Sequence, residues 1–296
     1  MLAKLLRRLL LTQLLVGAVL GWFFSDQTDL GYGLIPLAAL LTPLAISLML
    51  IVSYAIKSRT PGSSALWWRS IYGEYVACCR VYLLQQPWAK KPTLMTPPTG
   101  TPLKIPVVLV HGYLCNHRVW DTMAEQLRQA GHPVLTVDLE PLFTSIDRYA
   151  PIIEETVKEL CRQAGTEQVA LVGHSMGGLA IRAWLRSCGT KRVARIITLG
   201  TPHQGTQIDP HPKTPNGQQM FWHSEWLKAL EASETPATRS LMRLAITPQD
   251  SIVYPQLEQV LAHASVKIIL GLGHLELCQA PSARAWVARQ LTDLKT

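Results

Sequence analysis

The chain has 296 residues, 48% of them hydrophobic and 16% charged, with a formal net charge of +8. Soluble domains carry roughly 25% charged residues, so the deficit points to chain held in lipid, while the apolar content excludes disorder. The length excludes a disulfide miniprotein and allows one large domain or two small ones.

The positive charge is dispersed: residues 1–60 hold five Lys or Arg against two Asp, and no block of five like charges occurs. Nucleic acid is therefore not an expected partner. Cys78, Cys79, Cys115, Cys161, Cys188 and Cys278 show neither C-x-x-C nor Cys/His zinc spacing. They are expected to be free thiols in a reducing compartment.

Two uncharged apolar runs open the chain, Leu9–Phe24 with 16 residues and Leu30–Ile56 with 27. At ~1.5 Å per residue the second spans roughly 40 Å, more than the ~30 Å hydrocarbon core. The first is shorter, but Arg7 and Arg8 can snorkel to the interface. A polar turn, Ser25–Asp29, separates them, so the runs read as a transmembrane helical hairpin. Pro36 and Pro43 are tolerated as kinks, and Gly17 and Gly21 make a small-x-x-x-small step for close approach. Lys4, Arg7 and Arg8 precede the hairpin and Lys57, Arg59 and Arg69 follow it. The positive-inside rule then places both ends, and the body that follows, in the cytoplasm. A cleaved signal peptide is disfavoured, because no small-x-small site follows Phe24.

Ser58–Ser64 reads as a loop. Ala65–Leu84 is rich in large residues and reads as a helix, lying either at the headgroup level or packed on the next domain. Pro87, Pro92, Pro97, Pro98, Pro102 and Pro106 mark a linker. Strands and helices then alternate. The strands are Ile105–Val110, Pro133–Leu139, Val169–Val172, Arg195–Leu199, Leu241–Ile246 and Val266–Leu270. The helices are Asp121–Ala130, Arg148–Ala164, Met176–Cys188 and Pro281–Leu291. Such alternation predicts an α/β fold, a mostly parallel sheet flanked by helices. The expected organisation is a hairpin over 1–60, a juxtamembrane segment and Pro-rich linker over 61–104, and a catalytic domain over 105–296.

Gly173-His174-Ser175-Met176-Gly177-Gly178 follows a buried strand and opens a helix, the context of a G-x-S-x-G elbow. A serine on so tight a turn has strained backbone angles, which the flanking glycines make possible. Ser175 is the expected nucleophile. It needs a base, and the base needs an orienting carboxylate, in the chain order Ser, acid, His. Among His203, His211, His223, His263 and His274, the last follows the final strand in a Gly-rich loop and is the expected base. His263 is placed near the end of a helix. Among Asp209, Asp250, Asp293 and Glu276, Asp250 follows a strand end and is the expected acid, while Asp138 precedes the serine. The oxyanion donors are expected to be the backbone N–H of Met176 and that of Tyr113, with Leu114 the alternative to Tyr113. His111 is assigned to bonding loop backbone.

Val108–Tyr113 (VLVHGY), Val172–Gly178 (VGHSMGG), Leu199–Thr206 (LGTPHQGT), Asp250–Pro255 (DSIVYP) and Gly271–His274 (GLGH) resemble the bacterial triacylglycerol lipase branch of the α/β-hydrolases. Glycosylphosphatidylinositol inositol-deacylases are similar in the same motifs. The likeness covers Ile105 to Leu291 and leaves out the hairpin. It implies a serine esterase or lipase with Ser175, Asp250 and His274 as nucleophile, acid and base. No cofactor is expected, and no acidic cluster is present for the calcium that accompanies some such lipases. An insert between Gly205 and Ser240 holds Phe221, Trp222, Trp226, Leu227 and Leu230, as either a lid over an acyl pocket or a helical cap. The expected substrate is a lipid or acyl ester, and the expected setting is the bacterial inner (cytoplasmic) membrane, with no obligate protein partner. Thioesterase and lipid acyltransferase share the triad and stay open, and a non-catalytic membrane scaffold is the third alternative.

Overall fold

The apolar runs form two long helices in the computed structural model, which describes residues 1–294. α1 (Leu2–Phe23) and α2 (Leu34–Lys57) are each long and apolar enough to cross a membrane. They meet where α1 presents Gly17 and Gly21: a Cβ on Gly21 would stand 2.7 Å from Ile35 Cα. Only a residue without a side chain permits that approach. Pro43 lies inside α2, whereas Pro36 falls in its first turn, where no intrahelical acceptor awaits its missing N–H. Leu15, Val19, Leu40 and Met49 are among many large side chains that the hairpin leaves exposed. Both ends of the hairpin return to the body. Arg7 donates to Pro87 O at 2.7 Å, and the Gln256 amide donates to Ser58 O at 2.9 Å.

Helix α3 (Ser64–Cys78) starts at Ser63, whose hydroxyl accepts the Leu66 N–H. It continues as a π-helical stretch to Gln85. Ile71, Glu74 and Ala77 are buried, and Trp68, Tyr72 and Val76 are exposed on the other side. Spacing of three and four residues puts each set on one helix face. The inner face packs on the body, and the large residues that suggested a headgroup position are divided between the two faces.

Six strands form one parallel sheet: β1 (Val107–Val110), β2 (Val134–Val137), β3 (Val169–His174), β4 (Val193–Leu199), β5 (Met242–Ile246) and β6 (Ser265–Ile268), in the order β2-β1-β3-β4-β5-β6. The order reverses between β1 and β3, leaving a crevice at their carboxyl ends. Buried parallel strands are apolar on both faces, and β1 shows how. Its Val107 and Leu109 pack toward α4 (Asp121–Gln129) and α10 (Pro281–Arg289). Its Val108 and Val110 pack toward α5 (Ala150–Ala164) and α6 (Met176–Cys188). α5 ends at Gly165, whose left-handed φ of 66° closes the last turn.

The predicted elements are found with ends shifted by a few residues, with one exception. The chain before His263 runs in turns, and His263 itself has a φ of 68°. This segment is fixed by side chains instead of a helical ladder: the Gln259 amide donates to Gly205 O and Pro255 O.

The insert forms three short helices, α7 (Pro215–Gln219), α8 (Glu225–Ala232) and α9 (Pro236–Ser240). Leu227 and Leu230 are buried among the side chains of α6. Between α8 and α9, Glu234 receives a bidentate bond from the fully buried Arg182 of α6, at 2.6 and 3.1 Å. Breaking a buried pair leaves an uncompensated charge. Glu234→Ala should therefore lower stability by about 3–5 kcal/mol. The measurement is thermal unfolding in detergent micelles, which should show a clear fall in Tm.

Candidate functional site

Ser175 lies between β3 and α6 with φ 54° and ψ −129°, a backbone conformation that costs a non-glycine residue on the order of 1–3 kcal/mol. Its neighbours make the turn possible. A Cβ on Gly173 would sit 2.7 Å from Gly178 N, and one on Gly177 would strike the carbonyl oxygens of Val110 and His111. The Ser175 N–H donates to Leu199 O at 2.9 Å, tying the turn to β4. The serine is buried but for 7% of its surface and stands at the N-terminus of α6, where the positive end of the helix favours developing negative charge.

Asp250 and His274 come from the loops after β5 and β6. His274 Nδ1 donates to Asp250 Oδ2 at 2.8 Å, which leaves Nε2 as the free base. The other carboxylate oxygen, Oδ1, accepts the N–H groups of Ile252 and Val253, each at 2.8 Å. Both side chains are buried. Burial alone would push the His274 imidazole down, but the Asp250 charge, its hydrogen bond and the Glu74 charge outweigh it, so the pKa is raised. His174, the residue before the serine, holds its ring 4.6 Å from that of His274, the planes inclined at 47°, and donates Nε2–H to His274 O at 3.0 Å. That contact brings the imidazole loop against the elbow. No hydrogen bond joins Ser175 Oγ to His274 among the described residues, a looseness common before substrate binds.

The loop after β1 faces the elbow from the other side. A Cβ on Gly112 would lie 2.7 Å from Ser175 Cβ, so Tyr113 and Leu114 begin beside the serine. His111 is occupied with loop backbone: its Nδ1 bonds Gly112 O at 2.9 Å and its Nε2 accepts the Leu139 N–H at 3.0 Å. Tyr113, Leu114, Leu142, Phe143, Tyr149 and Met176 line most of a small, partly open cleft, with Asn216 and His111 also at its wall. The Tyr113 and Phe143 rings meet edge to face at 5.7 Å.

Several of the other candidates are engaged elsewhere. His203 bonds Thr198 Oγ1 at 2.9 Å, and Asp138 bonds His117 at 3.0 Å. Glu276 pairs with Arg69 at 2.5 Å and accepts the Gly273 N–H, while Nδ1 of His274 is bonded to Asp250. Among the described residues no group of acidic, Cys and His side chains could hold a metal ion. All six cysteines are free thiols.

One carboxylate beside the imidazole was not foreseen. Glu74, on the inner face of α3, is buried against the residues that follow His274. Its only sequence signal is a lone acid in an aromatic, apolar helix.

Residues 106–255 match the family model for palmitoyl protein thioesterase. The chain is 30% identical over 129 residues to the triacylglycerol lipase of Burkholderia plantarii, covering 40% of this chain and 36% of the lipase. It is 38% identical over 96 residues to the pimeloyl-[acyl-carrier protein] methyl ester esterase of Aliivibrio fischeri, covering 32% and 36% of the two chains. A lysosomal thioesterase of Xenopus laevis is 27% identical over 106 residues, covering 34% and 36%. The chain thus matches about a third of the length of each of these relatives. The solved structure of a Bacillus licheniformis lipase in mature form superposes with a TM-score of 0.58 at 18% identity. That superposition takes in 68% of this chain and 98% of the lipase, and shows the shared α/β-hydrolase fold.

The bonded pair makes a prediction that needs no substrate. The His274 ring, followed by NMR, should titrate above 6.5, its ordinary value. In Asp250→Asn the largest raising influence is gone, so the titration should move to lower pH.

Proposed function

The chain belongs to the palmitoyl protein thioesterase family, and from that premise we propose that it is a membrane-tethered serine hydrolase cleaving acyl esters through an acyl-enzyme. The observation that carries this reading is the strained Ser175 at a helix N-terminus beside a loop whose imidazole is bonded to Asp250. In the reading, His274 Nε2 takes the Ser175 proton as Oγ attacks the ester carbonyl. The backbone N–H groups of Met176 and Tyr113 receive the oxyanion; each such donor is worth ~2.7–4 kcal/mol when removed. The C–O bond of the ester then breaks, and His274 returns the proton to the leaving alcohol. Water, deprotonated by the same imidazole, releases the acid and restores the serine. Asp250 holds the imidazole in the tautomer that leaves Nε2 free and stabilises its cation.

Apolar cleft walls favour an acyl chain over a charged substrate. The tether reading is supported by the exposed apolar sides of α1 and α2, by the return of both hairpin ends to the body, and by the exposed Trp68, Tyr72 and Val76 on α3. With Lys and Arg flanking the hairpin and none in its turn, the catalytic body is assigned to the cytoplasmic side of a bacterial inner membrane. For the insert, a packed cap is the better-supported reading: the Gln219 side chain bonds Ile146 N and Ser145, and the Trp226 N–H bonds Asp147 at 2.9 Å. The family match favours a second substrate class, acyl thioesters, which the same constellation would cleave with a thiol as leaving group.

A fluorophosphonate should label the wild-type chain at Ser175 and leave Ser175→Ala unlabelled, whereas a folded wild type that never labels would sink the enzyme. Asp250→Asn should lower kcat by about 10⁴-fold. With p-nitrophenyl esters in detergent micelles, kcat/KM should rise from acetate to palmitate. A preference for acetate would remove the long-acyl assignment, and faster turnover of palmitoyl thioesters would select the second class. Neutral His274 is the active form, so kcat/KM should climb with pH through an apparent pKa above 6.5, the ordinary histidine value.

A further inference from the structure

We infer that Glu74, on the helix joining the tether to the hydrolase domain, is a positioning residue for His274, its buried carboxylate holding the loop that carries the imidazole. The inference rests on the triad proposed above. Both carboxylate oxygens are committed: Oε1 accepts the Leu275 N–H and Oε2 the Glu276 N–H, each at 3.0 Å. Those are the two residues directly after His274, and they are more than 200 positions away in sequence.

The packing around this fork is specific. Gly273, just before His274, comes so close that a Cβ there would lie 2.6 Å from Glu74 Cβ and collide with the carboxylate. Gly73 stands likewise against the Glu276 carboxylate. Arg69, one turn earlier on α3, donates to Gly271 O at 2.9 Å and pairs with Glu276. The loop from Gly271 to Glu276 is therefore gripped by α3 at its start and end. The acid's loop has a matching tie, since the Gln256 amide bridges Ser58 O at 2.9 Å and Asp250 O at 2.8 Å. Apart from the Gln256 bond to Asp250 O, each of these contacts has one partner between residues 58 and 74, outside the family match at 106–255.

A structural plug would not need a charge there, since burying a carboxylate is costly unless its bonds are useful. Burial pushes the Glu74 carboxyl up to about 7, against the pull of His274 and of the two N–H bonds. Its ionised form in turn raises the basicity of His274. The other groups facing it are Asp250 across the site, Glu276 with its partner Arg69, and Cys78 on its own helix. Tyr82, Cys115 and Cys278 also sense its charge, and burial pushes all three upward, keeping them neutral.

The test compares the full chain in detergent micelles with Glu74→Gln and Glu74→Asp. Glu74→Gln removes the charge and one acceptor without changing the shape. Its kcat should fall about tenfold or more, towards the roughly 100-fold that a 1 Å misplacement costs, with KM nearly unchanged. The acid limb of its kcat/KM profile should move to lower pH, and the His274 ring titration should move with it. Glu74→Asp, one methylene shorter, should restore the position of that limb while leaving kcat reduced. Wild-type kcat and a superimposable pH profile in Glu74→Gln would overturn the inference. Should Glu74→Gln fail to fold, Glu74→Asp decides by the same split: reduced kcat at constant KM supports the inference and wild-type kcat overturns it. Ser175 labelling of the wild type keeps the two readings apart. If it fails, the enzyme reading falls, and the His274 titration in Glu74→Gln still shows whether Glu74 governs the ring.

Discussion

A buried hydrogen bond from an imidazole to a carboxylate is the interaction on which this architecture turns. His274 and Asp250 are both almost fully enclosed, and each alone would be a penalty to the fold. They are tolerated because Asp250 also accepts two backbone N–H groups while His274 gives its Nδ1 proton to the same carboxylate. The sheet makes the meeting possible. β5 and β6 are adjacent and parallel, so the loops at their carboxyl ends emerge side by side. Ser175, at the end of β3 two strands from β5, reaches the same rim only because its turn is held in a strained conformation.

Much of this was legible in the residues. Short β-branched runs alternating with amphipathic helices specify a parallel sheet, and the ends of α6 are visible as Ser175 and Gly189. The G-x-S-x-G spacing locates the elbow because steric exclusion at Gly173 and Gly177 is a local matter, written in adjacent residues. The pairing of His274 with Asp250 could be narrowed from strand order, since each follows its own strand end. What could not be read was tertiary. The chain before His263 is held by Gln256 and Gln259 side chains reaching distant carbonyls, which no periodicity encodes. The partners of Glu74 were hidden for the same reason, because they lie at the far end of the chain.

The division of α3 into two faces explains why composition alone left its placement open. Large aromatic side chains suit both a headgroup layer and a packed core. Here Trp68 and Tyr72 are exposed while Ile71, Glu74 and Ala77 are buried, so one helix carries an open aromatic face and a packed one. Its mixed composition is the average of two faces with opposite requirements.

That arrangement bears on how a hydrolase fold tolerates an added segment. The family match contains Ser175 and Asp250 but stops short of His274, whose loop after β6 must be held by whatever lies beside it. β6 is an exposed edge strand, and an edge gives the loop beyond it support from one side only. α3 fills the open side, with Arg69 and Glu74 bonding the backbone of that loop. A polar grip of this kind constrains direction as well as distance, which apolar packing does not. The helix that follows the apolar hairpin is thus packed against the loop that carries the imidazole, and its displacement would be felt first at His274.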